Sequence, residues 1–537
     1  MPQRTALLSV FHKDGIVEFA RELLELDFSL FASGGTARTL AETGIPVRDV
    51  AELVGGGSIL GHRVVTLSRE VHAGLLARDI PEDRAELERL GIPFIDLVCV
   101  DLYPLAEEIA RHGATPESVI EKTDIGGPTL LSSGAKGRRI VIADPADRMR
   151  VVTWLRAGEP DRDAMITRLA AKADGIVANY RLASARFHSG GEIDGMIGGN
   201  VRNCKYGENP WQTPAALFSS GGDDPLALER FVEIAGTDPS YVNLTDLDRL
   251  LQTMTHIAAG FDLHHGYVPC IAIGCKHGNP CGAAISYMDR NEALEHMVEG
   301  NPEELFGGLV MTNFAVDAEM AGILRHYAVP PGSMRALDGV IAPAFTPDAV
   351  PVFHRKEDKC RIFENRALAS FKAQSLDASP RFRQVRGGFL RQPNYTNILN
   401  LNAPEIETIG RNPTKNEKDD LLLAWAIGQT SNSNTVTIVK NRMLIGNGVG
   451  QRSRVGCCRL AVELAKKAGH DLEGAVAYSD SFFPFQDGPA VLAGAGVKVI
   501  FSSSGSIRDS ATKTLCQERG VTLLLIPDKL GRGFFSH

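Results

Sequence analysis

The stretch ALLSVFHKDGIVEFARELLELDFSLFASGGT (residues 6–36) sets the grammar of the chain. ALLSVF (6–11) is an apolar run of strand length, and Ile16, Phe19, Ala20, Leu23 and Leu24 then recur at helical spacing. FSLFA (28–32) reads as a second strand that ends at Ser33-Gly34-Gly35-Thr36, and Ala37 to Thr43 reads as the next helix. Strand, short loop, helix and strand again is the pattern of a parallel α/β sheet. IDLVCV (95–100) and RIVIAD (139–144) supply further buried strands. Sites in such sheets lie beyond the carboxyl ends of strands, which directs attention to SGGT (33–36), DLYP (101–104) and TDIGG (123–127). Ser33 to Thr36 can hold a phosphate through hydroxyls and backbone amides at a helix start, or can simply cap that helix.

Beyond a helical stretch from Asp161 to Arg186, the Gly-rich FHSGGEIDGMIGGN (187–200) reads as a domain junction. Mixed text follows. Asp246 to Ala259 is helical, and VPCIAIG (268–274), GGLVMTN (307–313) and GVIAPAF (339–345) are strand-like. A polar, Pro- and Asn-rich run from Gln392 to Glu417 makes a second soft boundary. After it come helix DLLLAWAIG (420–428), strand TVTIVK (435–440), helix RVGCCRLAVELAKKA (454–468), strands AVAYSD (475–480) and VKVIFSS (497–503), and a last helix within 507–518. The regions 201–390 and 415–537 share this grammar, which raises a duplicated fold without a residue-level repeat.

A chain of 537 residues accommodates about three or four domains. Its 57 basic residues against 65 acidic ones, a net charge of -8, argue against a nucleic-acid backbone partner while leaving room for a local phosphate pocket. No apolar run is long enough for a bilayer, and MPQRTALLSVFHKDG lacks the apolar core of a signal peptide, so no membrane is expected. Nine scattered cysteines, nowhere spaced as CxxC, suit free thiols in a reducing, cytoplasmic compartment.

The densest polar cluster is Lys276-His277-Gly278-Asn279-Pro280-Cys281-Gly282, directly after an apolar strand. An imidazole can take a proton near neutral pH, and an ammonium can offset charge developing on an oxygen. The same residues also make a turn. A zinc deaminase needs H-x-E and P-C-x-x-C, but Gly278 and Asn279 follow His277, and Gly282, Ala283 and Ala284 follow Cys281. The acid and the second thiolate are missing, and no catalytic metal is expected. GNGVGQRSR (446–454) offers amides and guanidinium groups to an anion, or is a packing turn. SDSFFPF (479–485) sets three aromatics around a proline, suited to a planar ring or to a core.

Taken together, these motifs resemble the bifunctional purine-biosynthesis family that combines AICAR transformylase with IMP cyclohydrolase. The resemblance runs through LLSV (7–10), ASGGT (32–36), VHAG (71–74), LYP (102–104), DIGG (124–127), KYGENPWQ (205–212), KHGNPCG (276–282), SNTV (433–436), IGNGVGQRSR (445–454), SDSFFPFQD (479–487) and RGFFSH (532–537). It implies an α/β protein with a methylglyoxal-synthase-like parallel-sheet domain over 1–195. Two cytidine-deaminase-like α/β subdomains follow, over 196–390 and 391–537, forming a transformylase region without zinc. It implies a homodimer with sites at the interface, 10-formyltetrahydrofolate as cosubstrate, and AICAR or a close analogue as acceptor. The implied catalytic residues are Lys276, His277 and Asn434. Lys205, Tyr206 and Arg454 fall on the nucleotide side, with Arg454 or Lys205 on the phosphate, and Phe482 and Asp487 fall on the folate side.

In the first domain the resemblance implicates Ser33, Gly34, Gly35, Thr36, Arg63, Thr66, Tyr103, Asp124 and Lys136. This site departs most from the pattern. Arg-Val-Lys-Thr-Leu-His-Pro stands here as Arg63-Val64-Val65-Thr66-Leu67-Ser68-Arg69, Ser-Val-Ser-Asp-Lys as Ser9-Val10-Phe11-His12-Lys13, and Asp101 replaces the Asn before LYP. Elsewhere Lys205 replaces Arg, Trp211 replaces His and Gly488 replaces Asn, and Arg532 sits one residue too far from Phe535 and His537. The leading expectation is a folate-dependent formyltransferase with weak or altered cyclohydrolase activity. The alternatives are a fully bifunctional enzyme, a formyltransferase for a related aminoazole nucleotide, and a non-catalytic dimeric assembly protein. The Lys276-His277 pair argues against the last.

Overall fold

The computed structural model describes residues 3–61 and 63–534. The chain forms two units, Met1–Gly199 with Phe218–Gly221, and Asn200–Leu217 with Gly222–His537.

The first unit is built on β1 (Arg4–Val10), α1 (Ile16–Glu25), β2 (Phe28–Ala32), α2 (Gly34–Glu42), β3 (Arg48–Asp49), β4 (Leu97–Asp101), α3 (Gly126–Lys136), β5 (Ile140–Ile142) and α4 (Arg162–His188). Its five strands lie in the order β3-β2-β1-β4-β5, all parallel. Alternation of side chains explains why these strands read as unbroken apolar runs. Leu8, Leu30, Cys99 and Ile142 enter one buried cluster with Ile16, Phe19 and Leu23 of α1, while Leu7, Phe31, Val98 and Val141 enter another with Leu130 and Leu131 of α3. Helix α3 sits close because Gly134 has no side chain: a Cβ there would stand 2.7 Å from Val98 Cγ1. The helix expected from Ala37 begins three residues earlier, so Gly34 to Thr36 form its first turn.

The second unit is a duplication. Its first half runs β6 (Val232–Ala235), α5 (Tyr241–His265), β7 (Cys270–Lys276), β8 (Asn279–Ser286), α6 (Arg290–Gly300), β9 (Leu309–Thr312), α7 (Ala318–His326), β10 (Gly339–Ala342) and β11 (Arg361–Glu364). The second half runs β12 (Glu407–Ile409), α8 (Lys415–Gln429), β13 (Val436–Lys440), β14 (Met443–Gly448), α9 (Arg454–Lys467), β15 (Val476–Ser479), α10 (Asp487–Ala495), β16 (Val499–Ser504), α11 (Asp509–Glu518) and β17 (Thr522–Pro527). All twelve strands make one sheet, β12-β17-β16-β15-β13-β14-β8-β7-β9-β10-β11-β6. Outward from the β8/β14 seam the two halves repeat one series of pairings: antiparallel, antiparallel, parallel, parallel, antiparallel. The core between them gathers Leu250, Met254, Ile257 and Phe261 of α5 with Leu421, Leu422 and Trp425 of α8. The duplication raised by the sequence grammar is thus a property of topology.

Candidate active sites

A cavity of about 860 Å³ opens at the carboxyl ends of the first unit's strands, within the size range of small-molecule sites. Ser33, Gly34, Gly35, Thr36, Arg63, Thr66, Tyr103 and Asp124 all line it, together with Phe11, Lys13, Val65, Asp101 and His188. Ser33 precedes α2 but makes no side-chain cap bond; its hydroxyl instead meets that of Ser9 at 2.8 Å. Lys13 reaches Thr36 Oγ1 at 3.4 Å, and burial lowers its pKa against the opposing pull of Asp101. Burial likewise raises the carboxyl of Asp124, which accepts from the Gly127 amide at 2.8 Å. Arg63 is engaged by Glu121 at 2.6 Å.

Two residues that break the family pattern shape the same cavity. The ring of Phe11 packs 5.3 Å from that of Tyr103, and Val65 presents an isopropyl group to the cavity. His12 and Asp101, both substitutions, are partners: the His12 amide and Nδ1 lie 2.8 and 2.9 Å from Asp101 Oδ2. Lys136 is the exception among the first-domain candidates. It is exposed at the far end of α3, ten residues from cavity-lining Gly126, or about 15 Å along the helix axis. It does not line the cavity of this chain.

In the second unit, KHGNPCG is no loop beyond a parallel strand. Lys276 ends β7, Asn279 opens the antiparallel β8, and His277-Gly278 is a two-residue hairpin turn between them. Both turn residues have positive φ, 53° and 71°, as a type I′ turn requires. The Lys276 ammonium donates to the Phe306 carbonyl at 2.7 Å, and His277 is exposed. Asn279 carries the link across the sheet: its Oδ1 accepts the Asn432 amide at 3.0 Å, which brings the 432–434 segment beside the tip.

Asn434 is oriented from two directions. Its Nδ2 donates to the Gln451 carbonyl at 2.8 Å, and its Oδ1 accepts Arg454 Nη2 at 2.8 Å. Arg454 Nη1 is held by the carboxylate of Asp480, whose side chain has no solvent exposure, and burial lowers the guanidinium pKa. Asp480 Oδ2 in turn accepts the Thr435 amide at 3.1 Å. Arg454 is therefore committed to the protein's own Asp480 and Asn434. Gly446 and Gly448 serve packing, because a Cβ at either would lie 2.2 Å from a carbonyl oxygen of α9.

Lys205 and Tyr206 sit at the start of α5, where the Lys205 amide donates to Pro239 and the Tyr206 carbonyl accepts from Tyr241. The three phenylalanines of SDSFFPF divide their labour: Phe483 is core, Phe482 is half-buried with Arg532 over its ring at 5.8 Å, and Phe485 is exposed. Asp487 is exposed at the start of α10. Gly488, where the family pattern has Asn, has no room for a side chain; a Cβ would stand 2.9 Å from Phe483. Phe535 and His537 of the terminal motif lie outside the described residues. Asn279 stands in the polar cluster singled out in the sequence, but Asp246, Asn432 and Asp480 are not legible there as its supports, since their contacts span more than 25 positions.

All nine cysteines are free thiols, buried or half-buried. Among the described residues no group of three His, Cys, Asp or Glu is gathered to hold a metal, and no helix is long and apolar enough to cross a membrane. Residues 15–129 match the family model described as an MGS-like domain, and residues 136–464 match that of the AICARFT/IMPCHase bienzyme. The bifunctional purine biosynthesis protein PurH of Persephonella marina is 35% identical over 548 residues, covering 99% of this chain and 100% of that one. A solved structure titled "Crystal structure of ForH" is 34% identical over 35% of this chain and 99% of its own, with a TM-score of 0.32. A relative matched end to end and a family model spanning most of the chain lead to one conclusion: the protein belongs to the AICARFT/IMPCHase bienzyme family.

Proposed function

We propose that this chain is a formyltransferase of purine nucleotide biosynthesis, moving the formyl group of 10-formyltetrahydrofolate to the 5-amino group of AICAR at the Lys276-His277 tip. The observation that carries the reading is the link from Asn279 to Asn432, which gathers an imidazole, an ammonium and an oriented carboxamide from distant parts of the chain. The folate, when bound, supplies a formyl group activated by its attachment to N10. The half-buried ring of Phe482 and the exposed carboxylate of Asp487 suit a flat heterocycle bearing N–H groups. His277 takes the proton of the attacking amine as its nitrogen bonds to the formyl carbon. Lys276 offsets charge developing on the formyl oxygen and returns a proton to N10 as the old C–N bond breaks. Asn434 orients the acceptor, and Lys205 and Tyr206 face its nucleotide end. The commitment of Arg454 to Asp480 favours Lys205 over Arg454 as the phosphate contact.

The same reading takes 196–390 and 391–537 as cytidine-deaminase-like subdomains, a repeat supported by the duplicated strand order. It takes 1–195 as the cyclohydrolase-like domain, the dimer as the working state, and the cytoplasm as the place of work. In that first domain Val65 supplies no charge where the family pattern supplies Lys, so ring closure is the weaker activity. His277→Ala tests the central claim: formyl transfer should fall by roughly 10²–10³ in a protein that still folds. Near-normal turnover rejects the assignment.

A further inference from the structure

The two halves of the second unit provide an internal comparison for the catalytic tip. Asp246 is the sixth residue of α5, and Asp420 is the sixth residue of α8. Each helix begins with the same device, a hydroxyl cap with a reciprocal side-chain bond, Ser240 with Asn243 in one and Thr414 with Glu417 in the other. Each buried aspartate holds the turn of the hairpin that follows. Asp246 Oδ1 accepts the Gly278 amide at 2.6 Å. Asp420 accepts the Asn441 amide at 3.0 Å and the Arg442 amide at 2.5 Å.

The backbones of the two turns match as well. His277 and Gly278 have φ of 53° and 71°; Asn441 and Arg442 have 53° and 63°. The first position of such a turn favours Asn, which tolerates the left-handed region most readily. The second half carries Asn at that position. The first half pairs His with Gly and the second pairs Asn with Arg, so each turn holds a residue other than glycine in the left-handed region above its aspartate.

We propose that Asp246 is a positioning residue for formyl transfer: by holding the Gly278 amide of the His277-Gly278 turn it fixes the left-handed backbone that keeps the imidazole beside Lys276 and the Asn432–Asn434 segment. The proposal rests on the formyl-transfer reading above. It does not make Asp246 a participant in proton transfer. The carboxylate also lies 3.7 Å from Cys275 Sγ. Asp420 does the same mechanical work beneath a turn with no assigned chemistry, so the two aspartates separate scaffold from function.

The test compares Asp246→Asn, Asp420→Asn and His277→Asn in the full chain, with kcat, KM and thermal midpoint measured for each. Asp246→Asn should lower kcat by about 10²-fold, the scale of a misplaced catalytic group, with KM for the nucleotide little changed. Asp420→Asn should lower the thermal midpoint comparably and leave kcat intact. Should Asp246→Asn not fold, Asp246→Glu, which keeps the charge but displaces it by one methylene, should give the same kcat-specific loss. Equal effects of the two Asn variants on kcat, or no effect of either, overturn the proposal. His277→Asn, which suits its turn, should fold at least as well as the parent and lose activity. Retained activity there removes the formyl-transfer reading itself. Loss there with unchanged kcat in Asp246→Asn removes only the positioning role.

Discussion

Arg454 donates through Nη2 to Oδ1 of Asn434 at 2.8 Å while its Nη1 meets the buried carboxylate of Asp480. One guanidinium thus does two jobs, neutralising an interior charge and orienting a carboxamide at the candidate site.

Removing that guanidinium should therefore damage stability and rate together. Arg454→Ala leaves Asp480 buried without its cation, a loss of about 3–5 kcal/mol in urea unfolding. Asp480→Asn together with Arg454→Ala should recover much of the stability but none of the turnover, because Asn434 stays unoriented. Recovery of both would show that Arg454 serves the fold alone.

Val65 forms part of the first unit's cavity wall beside Thr66. Wild-type conversion of formylated AICAR to IMP should be much slower than formyl transfer, and Val65→Lys should raise it by roughly 10²–10³, the worth of one donor to developing charge. Phe11→Ser should add to that gain by opening the wall opposite Tyr103. Fast ring closure by the wild type would show that Lys13 or Arg63 already fills the role.

Gly488→Asn restores the residue of the family pattern but should not be tolerated. Its Cβ would stand 2.9 Å from the Phe483 ring and 3.2 Å from Cys458 Sγ, so overpacking should cost about 1–3 kcal/mol in a chemical denaturation curve. An unchanged midpoint would mean that Phe483 moves aside.

His256 is buried, donates Nδ1–H to the Gln252 carbonyl at 2.7 Å, and has its pKa pushed down from 6.5 to about 4 by burial. The unfolded chain takes up this proton below pH 6.5 while the folded chain refuses it until about pH 4. The contribution is present above 6.5 and lost as pH falls toward 4, about 3 kcal/mol in all. His256→Leu should flatten the stability profile across that window. A parallel acid loss in parent and variant would exclude His256 as its source.

The first unit was legible because its strands are buried on both faces: FSLFA (28–32) is a strand from end to end, and α4 runs within two residues of its expected limits. Strand β8 was not, since NPCGAAIS offers a glycine, a proline and small residues where strand propensity asks for branched chains; Gly282 is small because Met297's carbonyl leaves no space for a Cβ. Lys276 and His277 could be singled out as candidates from residue type and motif. Their backbone setting could not, because the two-residue turn with positive φ at His277 and Gly278 is held by a contact from Asp246, 32 positions before Gly278. The site's assembly was hidden for a simpler reason. Asn279 and Asn432 are 153 positions apart, and nothing local in either neighbourhood announces the other.

The seam between the halves brings eight-residue β8 beside six-residue β14 and pairs them at Ala284 and Met443, whereas the sheet's outer borders are the short β6 and β12, of four and three residues. A long strand left with bare amides and carbonyls recruits other strands, and short borders are a natural protection against it. Severing the chain near residue 400 would turn the interior seam into two such adhesive margins, so neither fragment alone should remain soluble. Fusion of the two repeats thus does more than double a scaffold: it places the longer sheet margin of each repeat in the interior.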